Sequence, residues 1–356
     1  MKITNTPGRC TFINHKFHIT MAKGSQFWGN ASGKLGEQVL YRAGGEQRAR
    51  AYTKNVKNPK TKAQMENRIL MNNVISAFRS MKPVVAVSFP NRPANQSGFN
   101  AFVKANKNVA AYAIDKETME QGGCIPFGLF ASKGDIPISI GFETKEVSNY
   151  VNSEEDPKYI LSVTGLFTDK SVLTVSSFTE DYVEVTPKQL YDLLVSNGNP
   201  LGLPSEFKVT IVGSLYGTGG EGNSDTEAYY LGWRQYLCTS AGEGSIVTGG
   251  NSESVENLQF RASVVGSVQG DETFTKYHID GLSVCAPRLT ENMLADICAA
   301  VIISWTENGK TRVTTSKFGG ANSVPELVAL WQKGGSVYEQ VLNQYGYTAE
   351  SLLATK

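Results

Sequence analysis

Residues 299–318 read AAVIISWTENGKTRVTTSKF, and this stretch decides the fold class of the chain. Two runs rich in β-branched and aromatic residues flank the dipeptide Asn308-Gly309. This dipeptide favours the two-residue type I′ turn that joins antiparallel strands. The stretch therefore predicts a β-hairpin, and residues 289–299 are expected to form a helix that leads into it.

Six further runs upstream have the same β-rich composition and lie between turn residues. They are KYILSVTGLF (158–167), SVLTVSSFT (171–179), FKVTIVGSLYG (207–217), EAYYLGWRQYLCTS (227–240), NLQFRASVVGSV (257–268) and ETFTKYHID (272–280). One helix is expected among them, with Thr186 as its N-cap and Pro187 at its first position. The regular spacing of the runs predicts one or two antiparallel β-sandwich units rather than alternating strands and helices.

The segment before residue 114 predicts helices instead. Thr61 and Gln64 have the spacing of a capping box, and apolar residues then recur at helical spacing. The pattern predicts a helix over 62–82 that Pro83 ends. A second amphipathic helix is expected around residues 99–109.

Two short apolar patterns after Ser323 and Ser336 predict helices at the far end of the chain. Helices of this length are unstable alone in water, so we expect them to pack on the β body or on a neighbouring molecule. The chain is therefore predicted to be an α+β protein with three regions. These are a basic hairpin-plus-helices region at 1–113, a mainly antiparallel β-sandwich body at 114–320 and a short helical extension at 321–356.

A second hairpin is predicted in the N-terminal region, where residues 38–52 read QVLYRAGGEQRARAY around Gly44-Gly45. Pairing across this turn places Val39 and Tyr41 on the same side as two arginines. Neither face is then purely apolar, and burial specifies the register only weakly. Because such a hairpin is marginal alone, we expect it to need a partner.

Charge is distributed very unevenly along the chain. Residues 1–110 contain 18 basic residues (Lys and Arg) and 3 acidic residues (Asp and Glu). Residues 111–356 contain 16 basic and 30 acidic residues. The whole chain nevertheless has a formal net charge of only +1. Two interpretations stay open. The two parts attract each other, within one chain or between copies, or the basic part faces a nucleic acid or another anionic surface.

Eight basic residues of this region are the candidate interaction residues, whether for assembly or for a DNA backbone. They are Arg42, Arg48, Arg50, Lys54, Lys57, Lys60, Lys62 and Arg68. Two of them, Lys60 and Lys62, lie at the start of the predicted helix, where the helix dipole disfavours cations. Their position favours an external anionic partner.

No motif in the sequence predicts catalysis, a cofactor or a metal ion. Residues 308–311, NGKT, resemble the end of a phosphate-binding loop, but Ser304 replaces the required glycine and the flanks are strands. Cys10, His15 and His18 lack a fourth ligand for zinc. We therefore do not expect an enzyme, while a glycan-binding site on surface loops stays an open alternative.

The cysteines and the hydropathy pattern indicate folding in the cytoplasm. Five widely spaced cysteines form no C-x-x-C pair, so we expect free thiols. No apolar run approaches the ~20 residues that cross a bilayer. The first 20 residues contain no continuous apolar core of a signal peptide, and no membrane partner is expected.

Several residues of the N-terminal region match a known pattern. They are Gly33, Lys34 and Gly36, followed by Asn58, Pro59, Thr61, Gln64 and Arg68. The region resembles an uncharacterised protein family of Bacteroidetes genomes and their phages. Its members open with a G-x-x-G-K-x-G stretch, a basic hairpin and an N-P-x-T-x-x-Q-x-x-x-R helix start, and related segments occur in virion proteins of crAss-like phages. Residues 305–318, WTENGKTRVTTSKF, resemble the closing hairpin of the family.

This resemblance implies a phage structural protein with a β-sandwich body and no catalytic residues. The leading hypothesis is a virion protein, made in the host cytoplasm, that assembles in several copies in the neck, tail or capsid. Its expected partners are further copies, other virion proteins and, in one version, the backbone of packaged DNA. The alternative is a sequence-independent nucleic-acid-binding protein.

Overall fold

The structure is a computed structural model, and the chain divides in it into two compact units, residues 1–59 and 60–356. The residues it describes are 22–23, 32–43, 46–54, 61–138, 140–146, 159–164, 166, 172–175, 182–196, 199, 201–215, 229–250, 259–268, 275–285, 297–320 and 326–345. The predicted boundaries after residues 113 and 320 stay predictions. Side chains from both sides of residue 113, including Phe102 and Ile125, share one hydrophobic core.

The first unit contains a four-stranded antiparallel sheet. Its strands are β1 (Ala22–Lys23), β2 (Gly33–Leu35), β3 (Gln38–Ala43) and β4 (Glu46–Ala51), in the order β1-β4-β3-β2. The predicted basic hairpin is confirmed, since β3 pairs with β4 and Ala43 lies opposite Glu46. Its turn residues, Gly44 and Gly45, lie outside the described part of the chain.

Seven helices are described in the second unit. They are α1 (Lys62–Ser80), α2 (Lys82–Ser88), α3 (Gly98–Asn106), α4 (Lys116–Glu120), α5 (Pro187–Ser196), α6 (Glu326–Ala329) and α7 (Ser336–Gln344). The N-cap predicted for α5 is confirmed, because Thr186 and Gln189 exchange two hydrogen bonds between their side chains and backbone N–H groups, at 2.9 and 3.2 Å. This reciprocal pair is a capping box, which fixes where α5 begins.

The predicted start of α1 is confirmed, but its predicted end is wrong. The side chain of Thr61 accepts a hydrogen bond from the backbone N–H of Gln64 at 3.4 Å. Helix α1 stops at Ser80, and Pro83 lies in the first turn of α2. A proline is tolerated there because the first N–H groups of a helix have no intrahelical partner.

Thirteen strands are described in the second unit. They are β5 (Phe130–Ser132), β6 (Ile136–Pro137), β7 (Gly141–Glu146), β8 (Tyr159–Thr164), β9 (Val172–Val175), β10 (Tyr182–Glu184), β11 (Glu206–Leu215), β12 (Gly232–Thr239), β13 (Ser245–Gly250), β14 (Gln259–Val268), β15 (Thr275–Cys285), β16 (Ile297–Glu307) and β17 (Lys310–Lys317). A seven-stranded sheet has the order β13-β12-β11-β16-β17-β5, with β6 parallel to β17. A six-stranded antiparallel sheet has the order β10-β14-β15-β8-β7, with β9 also paired to β15.

The hairpin predicted around Asn308-Gly309 is confirmed. Strands β16 and β17 pair antiparallel, and the two turn residues have φ angles of 50° and 72°, as a type I′ turn requires. The helix predicted over 289–299 is wrong at 297–299, which begin β16, while 286–296 lie outside the described residues. Strand β16 is apolar on both faces, and periodicity alone does not separate such a strand from a buried helix.

Two hydrophobic cores lie on opposite faces of the seven-stranded sheet. Ala300 and Ile302 of β16 contribute to the first core, whereas Val301 and Ile303 contribute to the second. The first core also contains the apolar stripes of α1, α2 and α3. The central strand is therefore buried on both faces, which explains its continuous apolar sequence.

The C-terminal segment packs against α1 in the first core, which also contains Ala300 and Ile302 of the seven-stranded sheet; packing on a neighbouring molecule stays a prediction. Tyr338 and Leu342 of α7 lie in the same core as Ile69 of α1. The backbone N–H of Ala113 donates to the carbonyl oxygen of Trp331 at 3.0 Å. The helical layer thus combines residues from both ends of the second unit.

The second core joins the two larger sheets and α5. The ring of Tyr236 on β12 lies 5.3 Å from the ring of Phe260 on β14, centroid to centroid, and both side chains are fully buried. The fold is therefore mixed α+β with two larger sheets in contact. The described residues do not show a closed sandwich.

Three of the five cysteines, Cys124, Cys238 and Cys298, are buried free thiols, as predicted. Burial raises the pKa of Cys238 to about 12 and raises the pKa values of the other two thiols. These thiols behave as small apolar groups rather than as nucleophiles. Among the described helices, none is long and apolar enough to span a membrane.

Candidate interaction surface

The pairing of β2, β3 and β4 sorts the N-terminal side chains onto two faces. Val39 lies opposite both Lys34 and Arg50, and Tyr41 lies opposite Arg48. Residues directly opposite each other in an antiparallel sheet project to the same side. The pairing continues one step beyond β4, since the N–H of Tyr52 donates to the carbonyl oxygen of Glu37 at 2.6 Å. We call the surface formed by Lys34, Tyr41, Arg48, Arg50 and Tyr52 the basic face.

The basic face contains two contacts between a cation and an aromatic ring. The Nζ atom of Lys34 lies 3.8 Å from the ring centroid of Tyr52, and the Cζ atom of Arg50 lies 6.0 Å from that of Tyr41. Such contacts stabilise exposed sites by roughly 0.5–1 kcal/mol. They hold the cations next to the rings, and 39% of Tyr52 stays exposed to solvent.

Two carboxylates lie on the basic face, Glu46 at the turn end of the hairpin and Glu37, paired with Tyr52, at the other end. The Nη2 atom of Arg48 lies 3.5 Å from the Oε2 atom of Glu46, and both side chains are partly exposed. Exposed ion pairs contribute about 0–1 kcal/mol because water and salt screen them. Its three cations outnumber its two carboxylates, so the basic face keeps a cationic character.

The opposite face of the sheet has a small apolar patch, formed by Leu35, Leu40, Ala49 and Ala51. Leu40 is the one fully buried side chain among the described residues of the first unit, whereas Leu35 is 50% exposed. Polar side chains of Gln38, Arg42 and Gln47 share this face by the same register. As predicted, neither face is purely apolar.

The structure brings together only part of the predicted set of basic residues. Arg48 and Arg50 share the basic face, while Arg42 lies on the opposite face and Lys54 follows β4 in an exposed position. The exposed Lys62 and Arg68 belong to α1, in the second unit. Lys57 and Lys60 lie outside the described residues. The contribution of all eight residues to binding stays a prediction.

Sequence reasoning missed the contact between Lys34 and Tyr52. Gly36, with φ of 57°, begins a two-residue turn that joins β2 to β3 and places Leu35 opposite Gln38. A glycine at the first central position is the signature of a type II′ hairpin turn. The Gly36-Glu37 dipeptide was therefore an available signal that Lys34 pairs next to the basic hairpin.

Other chemistry is sparse in the described part of the chain. No three His, Cys, Asp or Glu side chains there lie close enough together to hold a metal ion. Residues 308–311 connect two antiparallel strands, so they present no helix N-terminus to a phosphate group. The candidates Cys10, His15 and His18 lie outside the described residues.

The basic face thus offers three cations and two aromatic rings within one small sheet. Cations bind anionic groups through charge-assisted hydrogen bonds, and aromatic rings bind planar or apolar groups by stacking. The apolar patch on the other side of the same sheet is suited to burial against a protein surface. Compared with protein-family models, with curated proteins and with solved structures, the chain gives no match.

Proposed function

We propose that the protein is a structural component of a phage virion and that it assembles in several copies through its basic N-terminal region. Its place is the neck, tail or capsid, where repeated subunits contact each other and other virion proteins. One observation carries the proposal. In the described part of the first unit, the apolar patch of the small sheet is incompletely covered, with Leu35 half exposed.

Further burial of the apolar patch would stabilise the small sheet. Full burial of a leucine side chain contributes ~1.5–3 kcal/mol to stability. Because half of Leu35 is still exposed, burying the rest would stabilise the assembled state by roughly 1 kcal/mol. Association with another surface supplies this burial.

A second copy of the chain is the partner that the charge distribution favours. The basic N-terminal part has 18 cationic and 3 anionic side chains in residues 1–110. It complements the acidic remainder, which has 16 cationic and 30 anionic side chains. Opposite potentials on two parts of one chain orient a head-to-tail interface, which closes into a ring when the rotation permits. This arrangement suits a repeated virion subunit.

We also propose that the two larger sheets form a β-sandwich body. The support is the second core, which contains Val163 and Phe260 from the six-stranded sheet together with Val209 and Ile303 from the seven-stranded sheet. The backbone N–H of Phe260 also donates to the hydroxyl oxygen of Tyr236 at 3.2 Å. Side chains from two inner faces that share one core are typical of sheet-on-sheet packing.

A second candidate function is sequence-independent nucleic-acid binding. The observation that favours it is the pair of contacts between cations and rings on the basic face. Cations interleaved with aromatic side chains are the usual composition of surfaces that bind nucleic acid without reading its sequence.

The assembly proposal is tested by the mass of the full-length chain in solution. We expect Leu35→Glu to shift the protein from multimer to monomer in light scattering, because a carboxylate on the apolar patch opposes its burial. Leu330→Glu is the matched control, since Leu330 is 39% exposed in the second unit and carries the same change. Equal masses for the two variants and the parent protein would contradict the proposed role of the patch.

A further inference from the structure

We propose that the basic face binds a single strand of nucleic acid, with a base stacked on Tyr52 and phosphate groups held by Lys34, Arg48 and Arg50. The inference rests on the second candidate function and names its ligand. It concerns the face of the N-terminal sheet opposite to the apolar patch, so it does not require the assembly proposal to be correct.

The cations are spaced by the sheet itself. Arg48 and Arg50 are two residues apart on β4, which separates them by about 6.8 Å along the strand. Lys34 lies two strands away from Arg50, with Val39 between them, or about 10 Å across the sheet. Three cations on a rigid sheet therefore cover an area that a few nucleotides span, and each phosphate contact releases counterions.

The local charge favours a polyanion over a neutral partner. Residues 1–59 contain ten Lys and Arg and only two carboxylates, Glu37 and Glu46. Glu46 lies beside Arg48 at the turn end of the hairpin. Glu37 lies opposite Tyr52 at the other end, where the two cations Lys34 and Arg50 outnumber it.

The aromatic rings distinguish a nucleic acid from an acidic protein surface. Carboxylates need only the cations, whereas nucleobases also stack on rings, and one stacked base strengthens binding roughly ten- to hundredfold. Tyr52 is 39% exposed and has the ammonium group of Lys34 over its ring. Because that ammonium covers one face of the ring, the other face is the expected platform for a base.

A single strand fits this surface better than a duplex does. Bases of a duplex are stacked on each other and present only their edges, whereas unpaired bases are free to stack on a tyrosine. Duplex binding would use the three cations alone. The ring of Tyr52 therefore makes the preference for a single strand a specific expectation.

The test uses the full-length protein and three fluorescein-labelled probes in anisotropy titrations. The probes are an oligothymidylate of about 20 nucleotides, which exceeds the span of one small binding site, a mixed-sequence duplex of the same length, and polyglutamate. We expect Tyr52→Leu to weaken oligothymidylate binding roughly tenfold and to leave duplex binding unchanged. Tyr52→Phe, which keeps the ring, should retain the parental affinity.

The cations are tested by the salt dependence of the same titrations. We expect Lys34→Gln or Arg50→Gln to reduce the slope of log K against log salt by about 0.7 for the single strand. Lys310→Gln is the matched control, because Lys310 is an exposed cation on β17 of the second unit and should leave the slope unchanged.

Four outcomes would overturn the inference. Absence of oligothymidylate binding, or equal losses in Tyr52→Leu and Tyr52→Phe, would remove the stacking role. Equal affinities of single strand and duplex, both insensitive to Tyr52→Leu, would leave nucleic-acid binding as a charge effect only. Tighter binding of polyglutamate, weakened by Lys34→Gln and Arg50→Gln, would assign the basic face to an acidic protein partner and thus to assembly.

Discussion

The side-chain amide of Asn73 and the backbone of Ile125 form a reciprocal pair of hydrogen bonds inside the first core. Oδ1 of Asn73 accepts from the N–H of Ile125 at 2.8 Å, and Nδ2 donates to its carbonyl oxygen at 2.8 Å. Nδ2 also lies 3.2 Å from the carbonyl oxygen of Tyr112. Asn106 on α3 pairs with Phe130 in the same way, at 2.7 and 3.1 Å. Two helices are thus fixed to extended backbone by asparagines that imitate one rung of a β-ladder.

We expect Asn73→Ala to lower the free energy of unfolding by about 3 kcal/mol. The substitution leaves a buried N–H and a buried carbonyl group of Ile125 without these partners, and each unsatisfied group costs about 1–3 kcal/mol. Urea unfolding followed by circular dichroism measures the change. Asn343→Ala, on the exposed side of α7, is the control and should change stability by less than about 0.5 kcal/mol. Similar effects of the two substitutions would contradict the role assigned to Asn73.

The contact between the two larger sheets predicts a cost for Tyr236→Phe. This change removes the hydroxyl oxygen that accepts from the N–H of Phe260 and leaves a fully buried donor without that partner. We expect a loss of about 1–2 kcal/mol in urea unfolding. Tyr52→Phe removes a hydroxyl from an exposed ring and should be neutral. A neutral Tyr236→Phe would argue against tight packing of the two sheets and against the proposed sandwich.

Buried acids predict that the protein loses stability at alkaline pH. The thiol of Cys238 has its pKa raised by burial from 9.0 to about 12. The folded state therefore keeps a proton that the unfolded state releases, so the contribution of this group is complete below pH 9 and is lost as pH rises toward 12. Burial also raises the pKa of Tyr338 to about 12, with smaller effects from Glu66 and Glu339. Raised pKa values mean that stability falls with pH, by up to ~1.4 kcal/mol per pH unit for each group, above about pH 9 for Cys238 and above about pH 10 for Tyr338.

Urea titrations at a series of pH values measure this alkaline loss. Cys238→Ala removes one of the ionisable groups, so its stability should fall less steeply between about pH 9 and pH 12 than that of the parent protein. Cys124 and Cys298, whose pKa values burial also raises, stay in both proteins and cancel in the comparison. Parallel curves for the two proteins would show that ionisation of Cys238 does not limit stability.

The elements that sequence predicts well have strong local signals. Thr61, Thr186 and Asn308-Gly309 define their cap or turn by the chemistry of a few neighbouring residues, and each occurs where it was predicted. The register of β3 against β4 is also set locally, because a two-residue turn allows only one pairing of the strands that it joins.

Other features depend on contacts far apart in the sequence. The first residues of β16 looked helical because both faces of the strand are buried, and burial on two faces removes the alternation that marks a strand. Pro83 lies in the first turn of a new helix because α1 already stops at Ser80. Asn73 lies inside an apolar helical stripe, and its role requires a segment 52 residues away.

The candidate surface was predicted in composition but not in arrangement. Strand β2 has three residues, too few for a period of two to be recognised, so the position of Lys34 beside Tyr52 was missed. The eight predicted residues are all cationic, so charge alone does not tell them apart. Side chains alternate between the two faces along each strand, and the register of β3 against β4 places Arg42 on the face opposite to Arg48 and Arg50. Charge counting locates a basic region, whereas the strand register decides which charges act together.

Sedimentation velocity of the full-length protein, at low and at high salt, tests the central claim most directly. Assembly of copies through the basic N-terminal region predicts a multimer at low salt that dissociates as salt screens the opposite charges of the two parts of the chain. A protein that stays monomeric at every salt concentration, even at high protein concentration, would contradict the account.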